Sequence, residues 1–152
     1  MIKLVEYDEQ FLDLSWLWLN DPEISALTDT KKFTKGSQRD WFERLPEKKD
    51  YLIWGIKYYE ERIGVVGIKN IQNNKGEFFG YIGCKQYWGK SLGSQAIQLL
   101  KEYAVTVLRL RSINLKVLRS NLSAIGAYKK NGFVLTHEDS DYAFMECVLV
   151  NY

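Results

Sequence analysis

Apolar residues recur along this chain in two rhythms. Over 9–20, Phe11, Leu12, Trp16 and Leu19 keep the spacing of one helix face, and the pattern ends before Asn20-Asp21-Pro22. A polar loop with Thr28, Asp29, Thr30 and Lys31 leads to a second helix, capped by Ser37 and carrying Trp41, Phe42 and Leu45. Pro22 and Pro46 both fall where helical patterns stop. A short strand over 2–6 precedes these helices. From 51 to 84 the rhythm changes. Strand-like runs at 51–58, 62–71 and 77–84, separated by Glu60-Glu61 and Asn73-Asn74-Lys75-Gly76, predict an antiparallel meander. Leu92, Ala96, Leu99, Leu100, Tyr103 and Val107 then line one side of a longer helix. A strand over 113–118, a helix over 121–130 and strands over 133–136 and 142–150 complete the order. The expectation is a mixed α/β (α+β) chain with about seven strands and four helices.

Composition narrows this little further. With 152 residues, 46% hydrophobic and 26% charged, the chain has enough apolar content for one core and no linker to divide it, so a single domain over 1–152 is expected. A net charge of +2 is too small for a dedicated nucleic-acid binder. The N-terminus carries no charged-then-apolar signal and no apolar run approaches membrane-spanning length, which predicts a cytoplasmic protein with no membrane partner. Cys84 and Cys147 lie in apolar strand-like runs and read as buried thiols; with the lone His137 they form no ligand cluster, so no metal is expected.

The chemistry concentrates in two blocks. Tyr87-Trp88-Gly89-Lys90-Ser91-Leu92-Gly93-Ser94 joins the meander to the long helix, where unpaired N–H groups and the positive helix end attract anions such as a pyrophosphate. The second block runs over 117–133. In it Asn121 is a good helix N-cap, Tyr128 lies two turns further along the same face, and Gly132 can close the helix. On these residues the chain resembles the GNAT acetyltransferases. Their pyrophosphate loop, Arg/Gln-x-x-Gly-x-Gly/Ala, matches Trp88-Gly89-Lys90-Ser91-Leu92-Gly93, with Trp88 in place of the Arg or Gln and Ser91 in place of the internal glycine. Their Asn-x-x-Ala-x-x-x-Tyr-x-x-x-Gly-Phe signature matches from Asn121 to Phe133. The stretch 16–24, Trp-Leu-Trp-Leu-Asn-Asp-Pro-Glu-Ile, with Trp41 downstream, is similar to the opening of RimJ/RimL-like and amino-sugar-modifying members.

The resemblance implies a sheet whose central pair of strands splays, an acetyl-coenzyme A cosubstrate and direct acetyl transfer to a primary amine in a ternary complex. It assigns the coenzyme to Tyr81, Ile82 and Gly83, to Trp88, Gly89, Lys90, Ser91, Leu92, Gly93 and Ser94, and to Asn121. The backbone amides of Tyr81, Ile82 and Gly83 would meet the oxyanion, Gly83 acting as a bulge. Tyr128 would protonate the departing sulfur, since a phenol near pKa 10 and a thiol near 8.5 are well matched. Glu77, eleven residues before Trp88, is the candidate base, set against a solvated charge at a hairpin exit; His137 and Asp141 are alternatives. Lys90, Lys129 and Lys130 either face coenzyme phosphates or are simply solvated.

Trp16, Asn20 and Trp41 are the candidate acceptor residues. The pattern over 63–71 and 76–83 is nearer to amino-sugar nucleotide acetyltransferases than to ribosomal-protein enzymes that modify protein N-termini, a polyamine site would want a denser carboxylate cluster than Asp21, Glu23 and Asp29, and Lys31, Lys32 and Lys35 would suit further phosphates. A non-catalytic acyl-coenzyme A-binding module is the alternative class, and it rests on Ser91. Monomer and homodimer both remain open.

Overall fold

The structure is a computed structural model that describes residues 1–149. Among these residues seven strands form one sheet: β1 (Ile2–Glu6), β2 (Leu52–Tyr58), β3 (Glu61–Gln72), β4 (Lys75–Ile82), β5 (Ser112–Leu118), β6 (Val134–Glu138) and β7 (Tyr142–Val148). Their order is β1-β2-β3-β4-β5-β7-β6. All seven match sequence runs, with shifted ends. Val150, expected in the last strand, lies outside the described residues. β3 and β4 are joined by a tighter turn than the sequence predicts. Asn73 and Asn74, at φ 53 and 60, make a two-residue hairpin, so Lys75 and Gly76 belong to the strand and Gly83 and Cys84 follow it.

Every neighbouring pair of strands is antiparallel except β4 and β5. These two run parallel and pair only at Lys75↔Ser112, Gly76↔Ile113 and Glu77↔Asn114. Beyond Glu77 they part. The sheet is therefore an N-terminal wing, β1 to β4, and a C-terminal wing, β5, β7 and β6, hinged at their base and open towards Ile82 and Leu118.

Among the described residues five α-helices flank the sheet, one more than the sequence predicts: α1 (Glu9–Asn20), α2 (Pro22–Thr28), α3 (Lys35–Arg44), α4 (Leu92–Thr106) and α5 (Leu122–Lys130). The extra one is α2. Pro22 does not stop a helix here; it starts one, in the first turn where no N–H partner is needed, with the Asp21 carboxylate accepting from the amides of Glu23 and Ile24. The cap of α3 also moves. Thr34 is the N-cap, and Ser37, expected in that role, is its reciprocal partner: each side chain bonds the other residue's backbone N–H at 3.0 Å. Cys147 is buried in β7, whereas Cys84 is only half-buried, past the end of β4.

α4 and α5 cover one face of the sheet, over a core that includes Ile68, Phe78, Leu100, Ile113 and Met145. α1 lies on the other face, with Phe11, Leu12 and Trp18 buried against Val65. It lies close because two glycines admit it. A Cβ on Gly55 would stand 2.2 Å from the Phe11 ring, and one on Gly83 2.1 Å from the Trp18 indole.

Gly83→Ala must displace Trp18, so its expected cost is about 1–3 kcal/mol, read as a lower thermal midpoint in differential scanning calorimetry. The same face predicts alkaline lability. Burial pushes Tyr7 up to about 12 and raises Tyr51 and Tyr81 as well. An unfolded chain ionises these phenols near pH 10, so the stability they contribute is whole below that pH and falls as pH rises towards their folded values. Urea midpoints at pH 8 and pH 11 measure the loss.

Candidate active site

The turn after β4 is built on an aromatic anchor. Lys85–Tyr87 form a single 3₁₀ turn, after which the Trp88 indole N–H donates to the Ile82 carbonyl at 2.8 Å. Trp88 thus ties the loop back to the end of β4. Gly89 then takes φ 76 and Ser91 φ 62, both left-handed, and Ser91 caps α4 without a side-chain bond. Among the described residues, the amides from Gly89 to Ser94 find no acceptor, and the first to find one is Gln95, on the Ser91 carbonyl at 3.1 Å. Side chains contribute little here. Leu92 is buried in the core, the Ser94 hydroxyl accepts from Asn131 at 3.1 Å, and Lys90 is exposed. What remains is a row of free backbone donors at a helix N-terminus, the arrangement that binds phosphates.

The edge of β4 offers a second row. Gly83 and Cys84 both donate to the Ile63 carbonyl, at 2.7 and 3.2 Å, which is the bulge expected at Gly83. Counting back by twos, Tyr81, opposite Val65, also turns its amide to β3. Of the three amides read from the sequence, only that of Ile82 faces the gap. That of Gly80 faces it too, and strand alternation counted from Gly83 would have found it.

α5 bears on this gap from the α4 side. Asn121 caps it, accepting from the Ala124 amide at 3.3 Å, while its own amide donates to the Leu27 carbonyl of α2 at 3.3 Å. Tyr128 stands between Phe78 and Phe133, with ring centroids at 5.8 and 5.7 Å. Its hydroxyl bonds to none of the described residues. Burial pushes this phenol up to about 12, which amends the matched-pKa argument: Tyr128 keeps its proton throughout the physiological range. The helix is held in place at its far end. Lys101 donates to the Asn131 carbonyl at 2.7 Å, Gln98 to the Asn131 side chain, and Gly132 closes the turn at φ 92. Asn131, a buried polar cap, went unnoticed in the sequence.

On the opposite face the predicted residues scatter. Glu77 sits at the base of the gap with its carboxylate already engaged, by Lys69 at 3.7 Å and Asn70 at 3.1 Å. Trp16 packs on Phe33 and under Lys35. Asn20 spends its side-chain amide on the Trp16 carbonyl, 2.7 Å away within its own helix. Trp41 belongs to an aromatic cluster with Tyr7 and Tyr51. Lys31 and Lys32 are exposed, the His137 ring lies flat on Phe144, and Asp141 donates its backbone N–H to Asp139. Lys129 and Lys130 are exposed in the last turn of α5.

α2 spans the open end of the gap on this face. Lys85 pairs with Asp21 at 2.9 Å and Glu23 at 3.0 Å, fixing its start to the N-terminal wing. Asn121 and the Tyr142 hydroxyl, which donates to Asp29, fix its end to the C-terminal wing. Among the described residues no group of three or more His, Cys, Asp or Glu is arranged to hold a metal. No described helix is long and apolar enough to cross a membrane.

Relatives share this plan. Acetyltransferase PseH of Campylobacter jejuni is 26% identical over 148 residues, covering 95% of this chain and 92% of that protein. The crystal structure of that N-acetyltransferase in complex with acetyl coenzyme A superposes with a TM-score of 0.79 at 21% identity, over 99% of this chain and 100% of that one. Spermidine N-acetyltransferase from Vibrio cholerae, in complex with CoA and spermine, gives a TM-score of 0.87 at 18% identity, over 97% and 95% of the two chains. The acetyltransferase (GNAT) domain profile matches residues 2–134, and with the parted β4–β5 pair and the open amides of α4 this establishes that the chain belongs to the GNAT acetyltransferase family.

Proposed function

We propose that this protein transfers the acetyl group of acetyl-coenzyme A directly to the primary amine of an amino-sugar nucleotide. The observation that carries the reading is the pairing of two open donor rows, one at the start of α4 and one along β4, with an unbonded phenol above the gap between them. The coenzyme supplies the activated acetyl thioester. The free amides from Gly89 to Ser94 would hold its pyrophosphate, and those of Gly80 and Ile82 would bind pantetheine and the thioester carbonyl oxygen. Tyr128 would donate its hydroxyl proton as a hydrogen bond to the sulfur. Full transfer from a phenol near 12 to a thiolate near 8.5 is uphill, so the bond acts by stabilising developing charge.

Glu77, at the base of the gap, would take the amine proton directly or through water. For the acceptor, the likeness over 63–71 and 76–83 to amino-sugar nucleotide enzymes supports the reading, as does a PseH relative spanning nearly the same length. Ser91, the one residue favouring a non-catalytic module, takes the left-handed angle that a glycine would supply. The reaction is assigned to the cytoplasm, where acetyl-coenzyme A is available.

Calorimetry with acetyl-coenzyme A, together with thiol release against a UDP-linked amino sugar, spermidine and a peptide with a free N-terminus, tests the proposal. Binding with turnover of the amino sugar is expected. Turnover of only spermidine or the peptide reassigns the acceptor, and binding without turnover of any amine supports the module. Tyr128→Phe should lower kcat by about a hundredfold or more while acetyl-coenzyme A still binds. Ser91→Gly relieves a left-handed non-glycine residue, so a gain of about 1 kcal/mol in unfolding free energy is expected with coenzyme affinity kept.

A further inference from the structure

The C-terminal wing has a second face, turned away from α5. Along β7, Ala143, Met145 and Cys147 enter the core, so Tyr142, Phe144 and Glu146 point the other way. Register carries this face to the base of the gap. Glu77 lies beside Asn114 on β5, and Asn114 lies beside Glu146 on β7, so the three form one row across the sheet with Lys69 at its outer end. The two carboxylate-bearing residues stand two strand spacings apart, about 10 Å between backbones, within which two glutamate side chains can approach a common ligand.

The two carboxylates differ in their surroundings. Glu77 has Lys69 and Asn70. Glu146 is half-buried, yet among the described residues it makes neither a hydrogen bond nor an ion pair. The cations nearby are turned elsewhere. Lys116, opposite Phe144 in the register, has its ammonium 4.4 Å from the Tyr142 ring centre, in the direction away from Glu146. Arg119 pairs with Glu138 at 3.4 Å, and the His137 ring is stacked on Phe144 at 4.2 Å. A half-buried carboxylate without a protein partner is left to water and is free to take up a cationic ligand.

We propose that Glu146 receives the ammonium group of the acceptor, selecting a cationic amine and orienting its nitrogen at the base of the gap beside Glu77. The inference rests on the acetyltransferase reading and deepens it. Glu146 binds the charge; Glu77 remains the group assigned to the proton. An ammonium donates up to three hydrogen bonds, so one amine can reach Glu146 and Asn114 together.

The test compares Glu146→Gln and Glu146→Asp with the wild type, using whichever of the UDP-linked amino sugar, spermidine or free-N-terminus peptide the wild type acetylates. For Glu146→Gln, KM for the amine should rise about tenfold or more, with acetyl-coenzyme A affinity and thermal midpoint unchanged. In calorimetry the wild type should bind the amine more tightly than its acetylated product, and Glu146→Gln should bind the two alike. Glu146→Asp keeps the charge, so its KM should lie nearer the wild type. An unchanged KM in the glutamine variant, or equal KM values in both variants, overturns the assignment while leaving the enzyme reading intact. A wild type that acetylates none of the three amines overturns both.

Discussion

The structure depends on β4 and β5 giving up their pairing after three residues. In an unbroken sheet the amides of Gly80 and Ile82 would bond to the next strand, and leaving such groups buried without partners costs about 1–3 kcal/mol each. The fold makes this gap tolerable by leaving it open to a ligand and by holding the wings together elsewhere. Leu100, Phe78, Phe133 and Ile113 form a continuous core behind the gap, and α2 spans its far end in front. Unpaired donors that would weaken an ordinary sheet are here available to an oxygen-rich ligand.

Two tryptophans hold the working edge of β4 at the right depth. Trp18 lies on Gly83, where any side chain would collide with it, and the Trp88 indole N–H donates to the Ile82 carbonyl, in place of the amide donor that β5 would otherwise have supplied. The departures from the family's loop sequence are therefore structural replacements. Trp88 anchors through its indole where an Arg or Gln would stand, and Ser91 accepts the left-handed conformation at some local cost.

Much of this was legible in the sequence. Alternation marked all seven strands, three-to-four spacing marked four helices, and two blocks of residues marked the loop and α5. The rest was hidden for physical reasons. α2 has seven residues, too few to display a helical period, and Asn20-Asp21-Pro22 serves equally as the end of one helix and the start of another. Ser37 and Thr34 are both good caps, and only geometry decides between them. The direction of each β4 amide follows from a bulge that residue types alone do not locate. Asn20 and Trp41 matched a pattern, yet their side chains are taken up within α1 and in an aromatic cluster. The bonds from α2 to Asn121 and Tyr142 leave no local trace at all.

Those last bonds have a kinetic meaning. Asn121 and Leu27 are 94 residues apart, and Tyr142 and Asp29 are 113 apart, so each closes a very long loop of chain. Contacts of such separation are slow to form, and a seven-residue helix has little stability before they do. The hairpins of the N-terminal wing and the β5–β7 pairing can assemble first, each from nearer neighbours. The front of the gap is then the last part of the molecule to become ordered and the first to open, able to come apart and reclose while the sheet and the core behind it stay folded.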